Sequence, residues 1–394
     1  MAGVMMVDLS AAFDMVNHKI LLEKLHLLGL DSKAVSWVES YLSCRSQCVS
    51  VDGCLSSLLP ITCGVPQGSV LGPLLYILFT NDLPDAIHDQ HEESLSYMQP
   101  NLHCNPCGSL VNYVDDGTYT YTNQDPVMLS QVLSSKYKSI NEYMVTNKLV
   151  INADKTHLVV MGSKKMETAR HRVELQAGEH IIYPSKTEKL LGCNINQNLK
   201  WKTHVQDGES SLTRQLTSRL NALKKVSVYA TFETRLSAAN GVFMSVLAYL
   251  LPLWGGCEGY LLKTVQILQN RAARQVTKLS WYTPTRKLLN MCNWLSIKQL
   301  IFYHSALTVY RTKAAKAPLY LNQQLSQGHP YPTRLATGGG ISLTGSHGTL
   351  VQQSFLVSAA VEYNTIPYNI RSCSSLPTFE RKQKLWVKYN IPFD

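Results

Sequence analysis

Three carboxylates placed at the ends of apolar, β-favouring segments constrain this chain more than any other feature. Val4, Met5, Met6 and Val7 form a continuous apolar run that suits a strand buried on both faces, and the run ends at Asp8. Leu110, Val111, Tyr113 and Val114 flank Asp115 and Asp116, and β-favouring residues continue through 118–121, the pattern of a hairpin with two acids at its bend. Both segments must reach a core while their acids stay at its edge. Uncompensated carboxylates in such a place take up protons or bind cations, and hard oxygen donors select Mg²⁺ or Mn²⁺. Two such ions about 3.5–4 Å apart clamp the attacking and leaving oxygens of an in-line phosphoryl transfer. The plainer alternative makes each acid a solvated turn residue, since Asp-rich turns are common. Successive strand residues face opposite ways, so Asp115 and Asp116 meet Asp8 together only where the hairpin bends.

The surrounding pattern predicts a mixed α and β arrangement in front and helices behind. Ile20, Leu21, Leu25 and Leu28 recur at helical spacing with Gly29 as a stop, and a second helix is expected over 33–42. Residues 45–63 alternate weakly around Asp52-Gly53, a hairpin signal, and lead into the Gly/Pro-punctuated run 64–73 and a helix over 74–79. The polar stretch 85–108 is expected as an inserted loop. A helix over 127–149, strands over 150–161 and 189–195, and mostly helix from 211 to 310 follow. Leu212, Leu216, Leu220 and Leu223 mark an apolar stripe with Arg214, Arg219, Lys224 and Lys225 around it. The longest apolar stretch, 241–254 (GVFMSVLAYLLPLW), is shorter than a bilayer span and is expected as a buried core helix.

Composition narrows the class. The 394 residues, 45% hydrophobic and 16% charged, exclude collagen, coiled-coil and low-complexity chains and allow two or three packed subdomains. The net charge of +10 is uneven: −7 over 1–100, +2 over 101–200 and +15 over 201–394. An acidic front and a basic back suit metal or proton chemistry in one half and a polyanion-binding surface in the other. Ten scattered cysteines and no basic leader before the first apolar run point to a reducing compartment, so an intracellular location, cytoplasmic or nuclear, is expected, with no secretion and no membrane partner.

Five segments together resemble the reverse transcriptases of non-LTR, jockey-like retrotransposons. Residues 7–18 (VDLSAAFDMVNH) resemble their motif A, 64–75 (GVPQGSVLGPLL) motif B, and Tyr113-Val114-Asp115-Asp116 motif C. Residues 147–156 (NKLVINADKT) are similar to motif D and 190–205 (LLGCNINQNLKWKTHV) to motif E, the primer grip. A lone YxDD would be weak evidence; five ordered segments with family-like spacing are specific. The resemblance implies an α+β right-hand polymerase fold, with a palm built on a ferredoxin-like split βαβ core and partial fingers over 1–205, a helical thumb over 206–310 and a helical C-terminal region over 311–394.

It also implies RNA-directed DNA synthesis from dNTPs with two Mg²⁺ or Mn²⁺ ions, on an RNA template from a DNA primer. Asp8 and Asp115 would bind the metals, with Asp116 contributing charge. Phe13 would pack under the incoming sugar, Gln67 and Gly68 would meet nucleotide or template, and Lys155 would approach the leaving pyrophosphate. Leu191 and Gly192 would hold the primer end, and the basic residues of 214–225 and 263–287, interleaved with Trp281 and Tyr282, would track phosphates. Only seven residues precede Asp8, so the resemblance is to an N-terminally truncated member lacking the fingers strands that hold the triphosphate. Three functions stay open: a polymerase, a catalytically dead remnant that binds nucleic acid, and a merely structural fragment. Val114, where many relatives carry a smaller residue, is expected to be tolerated. Outside the motifs, His88-x-x-His91 and Cys104-x-x-Cys107 form a Cys₂His₂ set with spacing suited to a structural zinc, His103 being a substitute ligand; a flexible loop with incidental His and Cys is the alternative.

Overall fold

The expected doubly buried strand is β1, Ala2–Leu9, running one residue past Asp8, with Met5 fully buried and Val4, Met6 and Val7 nearly so. The computed structural model describes residues 1–87, 108–315, 318–326, 340–341 and 354–393. These divide into two compact units, one of Met1–Glu188 with Asn196–Leu199, the other of Lys189–Ile195 with Lys200–Asp394.

In the first unit, helices His18–Leu27 and Ser32–Leu42 begin where Asn17 and Asp31 accept hydrogen bonds from the amides of Ile20 and Lys33. The alternating stretch around Asp52-Gly53 becomes a small nested ribbon of β2 (Ser46–Gln47), β3 (Ser50–Val51), β4 (Cys54–Leu55) and β5 (Leu59–Pro60), with Asp52 and Gly53 both at positive φ in its tip. Helix Leu71–Phe79 follows, and then a short helix, Leu83–Ile87, where a loop was expected to begin. The hairpin of β6 (Ser109–Tyr113) and β7 (Asp116–Thr122) precedes helix Pro126–Thr146, which Asp125 caps, with Pro at its first turn. β8, Ile151–Met161, completes a four-stranded antiparallel sheet of order β6-β7-β1-β8. Counting helices, the order is βαββαβ with β1 inside the sheet, the ferredoxin-like split arrangement. Leu129, Leu133, Ile140 and Met144 join Met5, Val7 and Leu158 in one core. β1 is thus held on both edges, and its far end is the natural place to hold a side chain still. The short strands β9 (Leu175–Ala177) and β10 (His180–Ile182) pair separately.

The second unit opens with the turn of a hairpin whose strands are β11 (Thr187–Leu190) and β12 (Cys193–Asn196), and continues as helices. Leu212, Leu216 and Leu223 bury the predicted stripe of helix Leu212–Val226, while Arg214, Arg219, Lys224 and Lys225 stay exposed. The stretch expected as one core helix is instead broken: a π-helical turn, Asn240–Met244, then Ser245–Ala248, then Leu251–Trp254. Leu250 is left-handed (φ +53) and Pro252 lies in the first turn of the new helix. Proline cannot donate to the preceding turn and its ring crowds it, so the chain restarts there. The helix Ile297–Ala315 packs on Phe355–Thr365 and Leu376–Asn390, so that Tyr310 stacks on Phe379 at 3.9 Å and shares one core with Trp254. Among the described residues no helix is long and apolar enough to cross a membrane.

Candidate active site

Asp8 is the penultimate residue of β1, and its side chain is 27% exposed. One carboxylate oxygen, Oδ2, is buried and accepts no hydrogen bond; the Lys155 ammonium stands 3.2 Å from it. Strand periodicity would not put Lys155 there. Met6 lies opposite His157 and Asp8 opposite Asn152, so two steps along β1 span five along β8. The surplus residues bulge out and re-aim Lys155 at Asp8, as bulges beside functional sites commonly do. Asn152 fastens the bulge: its side chain accepts from the amide of Asp154, and its carbonyl accepts from the Thr156 hydroxyl at 2.9 Å.

The second and third acids arrive by a turn. Tyr113 pairs with Asp116, leaving Val114 and Asp115 as a two-residue connection, and Val114 is left-handed at φ +59. A β-branched residue there is strained by about 1–2 kcal/mol, so the substitution at Val114 is less neutral than its chemistry implied. The bend is the one the two adjacent acids required. Val7 pairs with Gly117, so the turn lies level with the end of β1. Partial loss of water, and then the charges of Asp115 and Asp8, hold the Asp116 carboxyl above the usual carboxylate range. The three acids therefore repel one another electrostatically.

Tyr76, 1% exposed, stands behind Asp115. Burial, and secondarily the charge of Asp115, push its phenol far above its ordinary range, so it stays protonated. Its ring packs on Phe13 at 5.0 Å and lines a cavity of about 20 Å³ together with Val7, Val114 and Asp115, about the size of one water. Among the described residues no group of three or more His, Cys, Asp or Glu is placed to hold a metal ion. The carboxylates suit Mg²⁺ by chemistry: that ion is usually held by one or two carboxylates plus substrate phosphates, and the buried Oδ2 of Asp8 already faces a cation, the Lys155 ammonium at 3.2 Å.

Residues 64–72 are stitched to the turn after β1. Gly64 N–H donates to Val16, Val65 N–H donates to Phe13, and the His18 ring meets the Gly64 carbonyl at 2.7 Å. Gln67 donates to the Asp14 carboxylate at 2.9 Å, and Gly68 is open at φ +78. Gly64 has φ +88, and a Cβ there would lie 2.8 Å from the Asp14 carbonyl oxygen. Gly64→Ala is therefore expected to cost about 2–3 kcal/mol, from left-handed strain and a backbone clash, and urea unfolding of the first unit would measure it.

Phe13, Asp8, Asp115, Asp116 and Lys155 are linked by these contacts, and Gln67 joins through Asp14. Leu191 and Gly192 belong to the second unit. There, Leu191 (φ +46) and Gly192 (φ +80) form the turn between β11 and β12. In the same unit Arg274 stacks on Trp281 at 4.5 Å, and Tyr282 is 92% exposed. His88, His91, His103, Cys104 and Cys107 lie outside the described residues. Asp14 and Tyr76 are not signalled as site residues by the sequence patterns; Tyr76 sits in a wholly apolar helical run, and only its hydroxyl in that run signals a polar neighbour.

Residues 2–195 match the family model described as reverse transcriptase (RNA-dependent DNA polymerase). The chain is 25% identical over 289 residues to the RNA-directed DNA polymerase from mobile element jockey of Drosophila funebris, covering 73% of this chain and 30% of that protein. It is 27% identical over 313 residues to the probable RNA-directed DNA polymerase from transposon BS of Drosophila melanogaster, covering 76% and 32%. It thus spans about a third of the length of these curated relatives. A structure of telomerase from Candida tropicalis in complex with a telomeric RNA fragment aligns over 74% of this chain and 49% of that one, at 13% identity and a TM-score of 0.35.

Proposed function

From the match of residues 2–195 to the reverse transcriptase family model we propose that this chain is an RNA-directed DNA polymerase of the non-LTR type, joining dNTPs to a DNA primer on an RNA template. The observation that carries the proposal is that Asp8, Asp115 and Asp116 lie close enough at the end of the central strands to act on one another's charge, with one buried oxygen of Asp8 facing only the Lys155 ammonium.

Asp8 and Asp115 would hold Mg²⁺, and Asp116 adds negative charge beside them. Bound there, the ions would supply charge neutralisation at the attacking and leaving oxygens. Positioning and charge do nearly all the work in phosphoryl transfer, so rigid carboxylates on a paired strand and a tight turn are what the reaction needs. Lys155, paired with Asp8 here, would shift to the departing pyrophosphate and donate a proton as negative charge grows. Phe13, backed by Tyr76, would set the floor beneath the sugar and exclude a 2′-hydroxyl by bulk. Gln67 and the open backbone at Gly68 would face nucleotide or template, and the Leu191–Gly192 turn would hold the primer end. The exposed cations and rings of the second unit would follow phosphates and stack on bases.

Extension of a DNA primer annealed to an RNA template, with dNTPs and Mg²⁺, tests the proposal. Incorporation that EDTA abolishes is the expected result; salt-dependent binding without any extension would leave a binding remnant in its place. In the same assay Lys155→Gln is expected to lower kcat about 10²-fold, the scale of a lost general acid, with primer–template affinity unchanged.

A further inference from the structure

The turn assigned above to the primer end is built on unfavourable backbone. Leu191 and Gly192 are both left-handed, at φ +46 and +80, and only the glycine adopts that conformation without cost. A strained turn persists when neighbouring structure fixes it. Here the fixing group comes from 58 residues away: the Tyr249 hydroxyl donates to the Leu191 carbonyl at 2.7 Å. The ring also lies against Gly192, where a Cβ would come 3.3 Å from Tyr249 Cε1.

Tyr249 is itself set with care. It is the extended residue at which the helical stretch breaks, between Ser245–Ala248 and the left-handed Leu250. Its carbonyl accepts from the indole of Trp254 at 3.0 Å, and Trp254 is fully buried. A continuous helix would have turned this ring elsewhere. The space beside the turn is otherwise open, a cavity of about 240 Å³ that Gly192, His204, Gln215 and Ser245 help to line. Burial lowers the His204 pKa, so its ring stays neutral, and its Nδ1 accepts from the Asn194 amide at 3.3 Å.

We propose that Tyr249 is a positioning residue for the primer terminus, its hydroxyl holding the Leu191–Gly192 turn in the shape that receives a recessed DNA 3′-end. This rests on the polymerase reading and extends it to a residue outside all five motifs. The helix break before Pro252 then has a purpose: it delivers a phenol to a turn.

The test compares binding of the unaltered chain and Tyr249→Phe to two fluorescent probes, a DNA primer recessed on an RNA template and a single-stranded RNA of equal length. The ring is retained, so the melting temperature should hold. Loss of one hydrogen bond is expected to weaken binding of the recessed end about fivefold, with single-stranded RNA unaffected. In extension, KM for primer–template should rise with kcat nearly constant. Gly192→Ala, which strains the turn and presses on the Tyr249 ring, should move the same readouts further in the same direction. Equal affinity of Tyr249→Phe and the unaltered chain for the recessed end would overturn the inference, as would an equal loss on both probes, which marks a merely structural role. If the unaltered chain prefers the recessed end but never extends it, the polymerase reading falls while the role of Tyr249 stands.

Discussion

Asp115→Asn is expected to reduce primer extension at least about 10³-fold, equivalent to about 4 kcal/mol of transition-state stabilisation, with no loss of folding stability. The turn that carries Asp115 is shaped by the pairing of Tyr113 with Asp116 and by Val114, not by the carboxylate. Asparagine keeps the size of the side chain and removes the charge that would hold Mg²⁺. Without divalent metal the exchange should even stabilise the chain, because Asp115 and Asp8 both repel Asp116. The sign in pH follows. The Asp116 carboxyl titrates above its unfolded value of about 3.9, so the folded chain binds more protons in that window. Its metal-free stability then falls as pH rises from about 4 through the folded pKa, and Asp116→Asn should flatten that slope. Thermal melts with EDTA, across pH, measure both effects beside the kinetics. Undiminished extension by Asp115→Asn would mean the reacting phosphates lie elsewhere.

Trp254→Ala should destabilise the second unit by about 3–5 kcal/mol, the range for removing a large buried aromatic ring. Trp254 is fully buried among Phe243, Leu247 and Leu251, and its indole holds the carbonyl of Tyr249. The loss is thus a cavity plus an unmade hydrogen bond at the helix break. A chain of two units need not unfold in one step. Denaturation should be followed by hydrogen exchange in each unit, and protection is expected to drop in the helices around residue 254 while β1 and β8 keep theirs. Trp254→Phe restores most of the volume and should recover more than half of the loss. A uniform drop across both units would show that they unfold as one.

Much of this was legible beforehand. The apolar run before Asp8 suited a strand buried on both faces, and Asp52-Gly53 and the acidic bend announced their hairpins through turn chemistry. The caps that start the helices, Asn17, Asp31 and Asp125, emerged only with the structure, although their residue types are those that cap backbone amides. The break in 241–254 was missed because the apolar pattern continues on both sides of Pro252, and periodicity alone does not say whether a proline bends a helix or ends it. The strain at Val114 was missed for a related reason: a valine is chemically mild, and the cost lies in φ.

Residue types and their spacing determined the mixture of strands and helices in the first half, the acids at the strand ends and the basic helical second half, because those depend on burial period and turn propensity along the chain. Only the tertiary structure decided that a bulge in β8 swings Lys155 onto Asp8 and that Tyr249 fastens the Leu191 carbonyl. Strand periodicity assigns a residue to one face or the other and cannot count surplus residues in a paired strand. A hydroxyl reaching a carbonyl 58 residues away has no local signature, since what joins them is packing around a buried tryptophan rather than any pattern between them.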